Sequence, residues 1–129
     1  EKIFMSYRDT FSDAKKILNK YKIGVAHHKV IHLISLYKGI TISELLGKLK
    51  VTKQSLNRVI KDLLIIKAIY FVKDDRDTRL KHIYLSEKGL NIFNEIFSVQ
   101  KKRIYNAFID SDSREVIYFN KVLNRLIDE

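Results

Sequence analysis

Two helix starts lie close together in the middle of this 129-residue chain, and they constrain its fold more than any other feature. Thr41-Ile42-Ser43-Glu44 places a hydroxyl and a carboxylate at capping-box spacing, where each satisfies a backbone N–H that the first helical turn leaves unpaired. Ile40 and Leu45 flank it as a hydrophobic staple. Leu45, Leu46 and Leu49 give the short helix one apolar face. Lys50-Val51-Thr52 breaks that pattern. Thr52 is a second N-cap, with Val51 and Leu56 as a second staple. Leu56, Val59, Ile60 and Leu63 then recur at i, i+3, i+4 and i+7, one face of a second helix. A short helix, a tight turn and a second amphipathic helix form the helix-turn-helix pattern.

The opposite face of the second helix carries Lys53, Gln54, Asn57, Arg58 and Lys61. Lys and Arg suit guanine edges and phosphates, and Asn and Gln suit adenine. An ordinary amphipathic surface helix would read the same way, so the residues that follow decide between them. Ile69-Tyr70-Phe71-Val72 and Leu80 to Leu85 are β-prone runs. Between them, Lys73 to Arg79 is a tip with one uncharged residue, Thr78. This is a two-stranded wing attached to the reading helix. Arg76 and Arg79 suit an adjacent minor groove, whose negative potential attracts guanidinium groups, and Asp77 is placed to fix the direction of Arg79. A solvated hairpin with incidental ion pairs is the alternative. Asp74 and Asp75 read as solvated tip residues.

Net charge is +10. From Thr41 to Lys81, ten Lys/Arg face five Asp/Glu, so this stretch alone carries +5. A basic excess on a helix and hairpin predicts a polyanionic partner bound in a salt-sensitive way. The absence of cysteine excludes disulfides and thiol chemistry and fits a cytoplasmic protein. No run is apolar enough to span a membrane and no signal-peptide pattern appears. The first residue is Glu1, so residues ahead of it are expected. There is no Gly-rich phosphate loop or nucleophile elbow. The expectation is therefore a non-enzyme with no cofactor and no metal. His28 and His32 are spaced i, i+4 with His27 adjacent, but a lone pair is not a zinc site. It reads as a partly buried or surface pair, or as the lining of a small-molecule cavity.

In chain order, Phe4, Tyr7, Phe11, Ala14, Leu18 and Tyr21 predict one helix over 3–21 with a heptad-like seam. A helix over 26–38 should bury Val30, Leu33, Ile34 and Tyr37 and stop at Gly39, with Ile40 as a short strand against the wing. Ser86 should cap a long helix over 86–108, stapled by Leu85 and Leu90, with Leu90, Phe93, Phe97, Ile104 and Phe108 inward. Asp112 and Glu115 have capping-box spacing. The last helix carries Val116, Phe119, Leu123 and Leu126. The terminal seams are either the internal core of a monomer or, more economically, the interface of a homodimer. The fold class is mainly α with a small β wing: one domain over 1–129, with 1–22 and 86–129 as dimerisation helices around a winged helix-turn-helix over 23–85.

Ile42-Ser43-Glu44-Leu45-Leu46, Leu49 through Ile60, Asp77-Thr78-Arg79 and Leu85-Ser86-Glu87-Lys88-Gly89 resemble the MarR family of bacterial transcription regulators. The match covers essentially the whole chain and is most specific from the wing to the following helix. It implies a dimeric, triangular winged helix that represses or activates genes, often under control of a small aromatic or lipophilic effector. Carried over by position, Lys53, Gln54, Ser55, Asn57 and Arg58 meet the major groove, and Arg79, braced by Asp77, enters the minor groove. Thr52, Lys61 and Arg76 complete the expected DNA-binding set. Lys67 and Lys50 stand where the family has glycine. Because a left-handed non-glycine residue costs about 1 kcal/mol, the Lys67 turn is expected to differ. Leu64, Ile65 and Ile66 suggest extra packing behind the wing. The expected function is sequence-specific binding of double-stranded DNA. The alternatives are a winged-helix protein-interaction module and a regulator of another winged-helix family.

Overall fold

Capping chemistry sets most of the boundaries in the computed structural model, which describes residues 1–128. The order is α1 (Lys2–Ser12), α2 (Lys15–Lys20), α3 (Val25–Leu36), α4 (Ile42–Leu49), α5 (Lys53–Ile65), β1 (Ile69–Lys73), β2 (Lys81–Leu85), α6 (Glu87–Ile109) and α7 (Ser113–Leu126). Thr41 and Glu44 form the capping box: the Thr41 hydroxyl accepts from Glu44 N–H, and Thr41 N–H donates to Glu44 Oε2 at 2.8 Å. Thr52 caps α5 by accepting from Ser55 N–H at 3.1 Å. Asp112 caps α7, with Glu115 reaching back to its N–H. Val51 is 45% exposed, so the second staple does not bury it.

The core is built around α3, whose Val30, Ile31 and Ile34 are buried and which packs on α5, α6 and β2. From α5 come Leu56, Ile60 and Leu63, from β2 Ile83, from α6 Ile92 and Ile96, and from the N-terminal segment Ala14 and Leu18. The strands pair antiparallel, Ile69 opposite Leu85 and Lys73 opposite Lys81. Ile40 adds a single bridge to Ile83, as its position ahead of the first cap predicted.

Several sequence expectations are corrected. The first helix is two. It breaks at Asp13 and Ala14, where the Ser12 hydroxyl bonds back to the Asp9 carbonyl at 2.9 Å, an interaction that competes with helix propagation. Asp13 is also drawn to Arg103 on α6, and Ala14 is fully buried. The seam therefore divides: Ala14 and Leu18 are core, whereas Phe4 and Tyr7 are exposed. α3 ends at Leu36, ahead of Gly39. That glycine has φ +81 and turns the chain into the Ile40 bridge instead. Tyr37 is 44% exposed rather than buried, with the Lys48 ammonium 4.0 Å from its ring centre.

On α6 the buried stripe is Gly89, Ile92 and Ile96. Leu90, Phe97, Ile104 and Phe108, expected inward, are exposed, and Phe93 is half-buried. Leu90 consequently makes no buried staple. Gly89 fixes this register, because its Cα faces the Ala68 carbonyl and no other residue fits there. The long helix thus has two apolar stripes, one used by its own core and one turned away from it.

Lys50 and Lys67 both adopt the left-handed conformation, with φ 51 and 59, so the Lys67 turn keeps its form despite the missing glycine. The turn is held by Lys67 N–H to Leu64 O and Ala68 N–H to Leu63 O, at 3.0 and 2.9 Å. Lys67→Gly is expected to raise unfolding stability by up to about 1 kcal/mol, read as a higher urea midpoint at unchanged slope. A lower midpoint would show that the lysine side chain contributes more than its backbone strain removes. Leu64 and Ile65 are exposed, so only Ile66 of that run packs against the core.

Candidate nucleic-acid interface

The polar face of α5 points outward: Thr52, Lys53, Gln54, Ser55, Asn57, Arg58 and Lys61 are all exposed. Its apolar face, Leu56, Ile60 and Leu63, is buried on α3 and the wing. Burial of one face therefore fixes the direction of the other. Thr52 and Ser55 are also committed locally, their hydroxyls bonded to each other at 2.9 Å.

The wing is folded by its own carboxylates. Asp74 Oδ1 accepts from the N–H groups of Arg76 and Asp77, each at 2.9 Å. Asp77 Oδ1 accepts from Arg79 N–H at 3.0 Å and from Arg79 Nε at 3.2 Å. The Arg79 side chain is 91% exposed beyond that brace. Asp74 is not the solvated residue its sequence context suggested. Its Oδ2 also accepts from His82 Nε2 at 2.8 Å, and its side chain is 28% exposed. The His82 hydrogen bond first, then the Asp77 and Arg76 N–H groups, hold its carboxyl down at about 2. Asp75 is exposed as expected.

A cleft of about 370 Å³ separates α5 from the wing. Ser43 of α4, Asn57 of α5, and Arg79 and Lys81 of the wing all line it, together with Ile60 and Phe71. The Lys81 ammonium lies 5.6 Å from the Phe71 ring centre. The structure thus brings Asn57 and Arg79 to one cleft. Arg76 lies on the exposed tip outside its lining, and the other α5 residues continue along the exposed helix face. Ser43 and Lys81 were not singled out as site residues from the sequence. In the sequence Ser43 reads as part of a cap and of the stretch that carries the family resemblance, and Lys81 as one charge of the basic excess. Among groups away from this face, His27 bonds Asp62 at 2.9 Å through Nε2 and accepts from Gly24 N–H through Nδ1. His28 is buried, with its ring centre 5.4 Å from that of Phe11 and, among the described residues, no partner at Nδ1. Burial, then His32 and Lys29, push it down to about 4. His32 is exposed.

No family model matches the chain. It is 35% identical over 128 residues to the HTH-type transcriptional regulator PetP of Rhodobacter capsulatus, across 99% of this chain and 77% of that protein. A mutant MepR from a multidrug-resistant S. aureus clinical isolate has a similar fold, with TM-score 0.83 at 18% identity, over 96% of this chain and 91% of that one. A mutant E. coli MarR complexed with operator DNA gives TM-score 0.72 at 20% identity, over 98% and 91%.

Proposed function

Because the chain belongs to the MarR family of winged helix-turn-helix transcription regulators, we propose that it acts as a homodimer that reads a two-fold-related site in double-stranded DNA. The observation that supports this best is that Asn57, on the exposed polar face of α5, and wing residue Arg79 line one cleft. In this reading Lys53, Gln54, Ser55, Asn57 and Arg58 enter the major groove. Thr52 and Lys61 meet the backbone at either end of the helix face, while Arg76 and Arg79 reach the minor groove. An operator-bound MarR of the same fold supports DNA as the partner. The α5 polar face also speaks against a protein-interaction module, because an interface core is depleted of such charge.

The dimer reading is supported by apolar surface on the terminal helices. Ile3, Phe4 and Tyr7 of α1, Ile104, Tyr105 and Phe108 of α6, and Phe119, Val122 and Leu126 of α7 are all exposed. Large apolar side chains gathered on exposed helices mark an association surface more often than a solvent-facing one. We further propose that the protein is a cytoplasmic repressor released by a small aromatic or lipophilic effector. The aromatic series Phe11 of α1, His28 and His32 of α3, and Phe93 and Phe97 of α6, each ring within 6.4 Å of the next, supports that assignment.

Selection of bound fragments from random duplex DNA tests the reading. Inverted half-sites about one helical turn apart, roughly 34–36 Å, are expected. Sedimentation equilibrium should give twice the chain mass of 15.3 kDa. Affinity for the selected duplex should fall steeply as salt rises, because each neutralised phosphate releases counterions. A flat salt response or recovery of no common sequence would contradict it.

A further inference from the structure

His82 stands on β2 with a hydrogen-bond acceptor at each ring nitrogen. Nδ1 is 2.8 Å from the Gly39 carbonyl oxygen, and Nε2 is 2.8 Å from Asp74 Oδ2. Neither acceptor carries a proton to give. A neutral imidazole has one N–H and can satisfy only one of them, whereas the imidazolium donates to both. The charged groups facing the ring are Asp74 from the wing and Glu44 from the first turn of α4, both anionic. The neighbouring Lys81 ammonium lies toward Phe71 instead. His27 is a contrast within the same chain. Its Nδ1 accepts from Gly24 N–H while Nε2 donates to Asp62, an arrangement that a neutral ring satisfies completely.

The two His82 bonds join the turn ahead of α4 to the wing tip. Gly39 lies in the turn ahead of the α4 cap, and Asp74 opens the wing tip. Asp74 holds Asp77 N–H, and Asp77 holds Arg79. A continuous run of hydrogen bonds therefore leads from the helix-turn-helix entry, through His82, to the wing arginine.

We propose that protonated His82 is a positioning residue for the wing, clamping its tip to the Gly39 turn so that Arg79 is held where it can reach duplex DNA, and that duplex affinity therefore depends on pH. This rests on the reading that the wing meets DNA. The Asp74 bond first, then the Gly39 carbonyl, raise the His82 imidazole above its ordinary 6.5. The clamp is thus complete below that ordinary value and is lost as pH rises through the raised one. Asp74, held at about 2, stays ionised throughout.

The test is an anisotropy titration of the full chain with a labelled duplex that it has itself selected from random sequence. Ionic strength is fixed and pH runs from roughly 5.5 to 9, the range that histidine titration spans. Wild-type affinity is expected to fall about fivefold across that range, the effect of one partly exposed charged hydrogen bond. His82→Gln should be weaker at the acid end and flat. Asp74→Asn should also be flat but stay tight at the alkaline end. Its Oδ1 keeps the Arg76 and Asp77 N–H groups, while its amide donates to a neutral Nε2. Wild-type and His82→Gln profiles that coincide overturn the proposal, as does a steep profile surviving in both variants. An NMR titration of the His82 ring gives a second readout. A midpoint above 6.5 that drops in Asp74→Asn supports the clamp, and an ordinary wild-type midpoint overturns it. If no duplex is bound at any pH, the wing's DNA role falls with the preceding reading, and the ring titration alone decides whether the clamp exists.

Discussion

Arg79→Ala should weaken binding to a selected duplex by about 1–3 kcal/mol, roughly fivefold to more than a hundredfold, while leaving the folded state as stable as before. The side chain is 91% exposed and its described hydrogen bond is to Asp77, two residues away in the same tip. A surface pair of this kind contributes little to stability, so truncation should not shift the urea midpoint. Binding is different. A guanidinium in a narrow minor groove meets concentrated negative potential, and the Asp77 brace has already reduced the freedom it would lose on docking. Removing one phosphate-region cation should also lower the salt slope by about one. Asp77→Asn keeps an oxygen for the Arg79 N–H but loses the ionic brace, so it should cost less than the alanine variant. Unchanged affinity in the Arg79→Ala titration would take the wing out of the mechanism.

Legibility followed the range of the interactions. The caps at Thr41, Thr52, Ser86 and Asp112 were readable because each needs only residues three positions apart, and all four form hydrogen bonds. The wing was readable because two β-prone runs flank a charged tip. The Arg79–Asp77 pair is likewise local. Contacts between distant residues were less visible. No local pattern links Asp13 to Arg103, so the break in the first helix was missed. Asp74 reads as solvated because the His82 ring reaches it from the opposite strand, eight positions away. The face of α6 was misjudged because that helix has two apolar stripes. Periodicity reports both equally well, and only the approach of another backbone selects one of them.

That selecting contact gives the largest effect on stability. In α6 as an isolated helix, Gly89→Ala should stabilise, since glycine is about 1 kcal/mol less favourable than alanine in a helix. In the folded chain the opposite is expected. A Cβ at Gly89 would lie 1.9 Å from the Ala68 carbonyl oxygen and 2.9 Å from its carbon. Both are backbone atoms, so no side-chain rotation relieves the clash. The same carbonyl accepts from Ser86 N–H at 3.0 Å, and the Ser86 hydroxyl bonds Lys67 O at 2.6 Å while accepting from Gly89 N–H. Moving α6 away far enough for a methyl group would stretch these bonds at the junction where α5, the wing and α6 meet. The expected loss is about 3 kcal/mol, at the upper end for overpacking a tight site. Gly47→Ala is the matched control, because a Cβ there meets nothing within 4 Å; it should stabilise by roughly 0.5–1 kcal/mol. Urea unfolding of the two variants separates propensity from packing by sign. A stabilised Gly89→Ala would mean that α6 does not approach Ala68 this closely. Because Ala68 joins α5 to the wing, a destabilised variant that still folds should also bind the selected duplex more weakly, and Gly47→Ala should not.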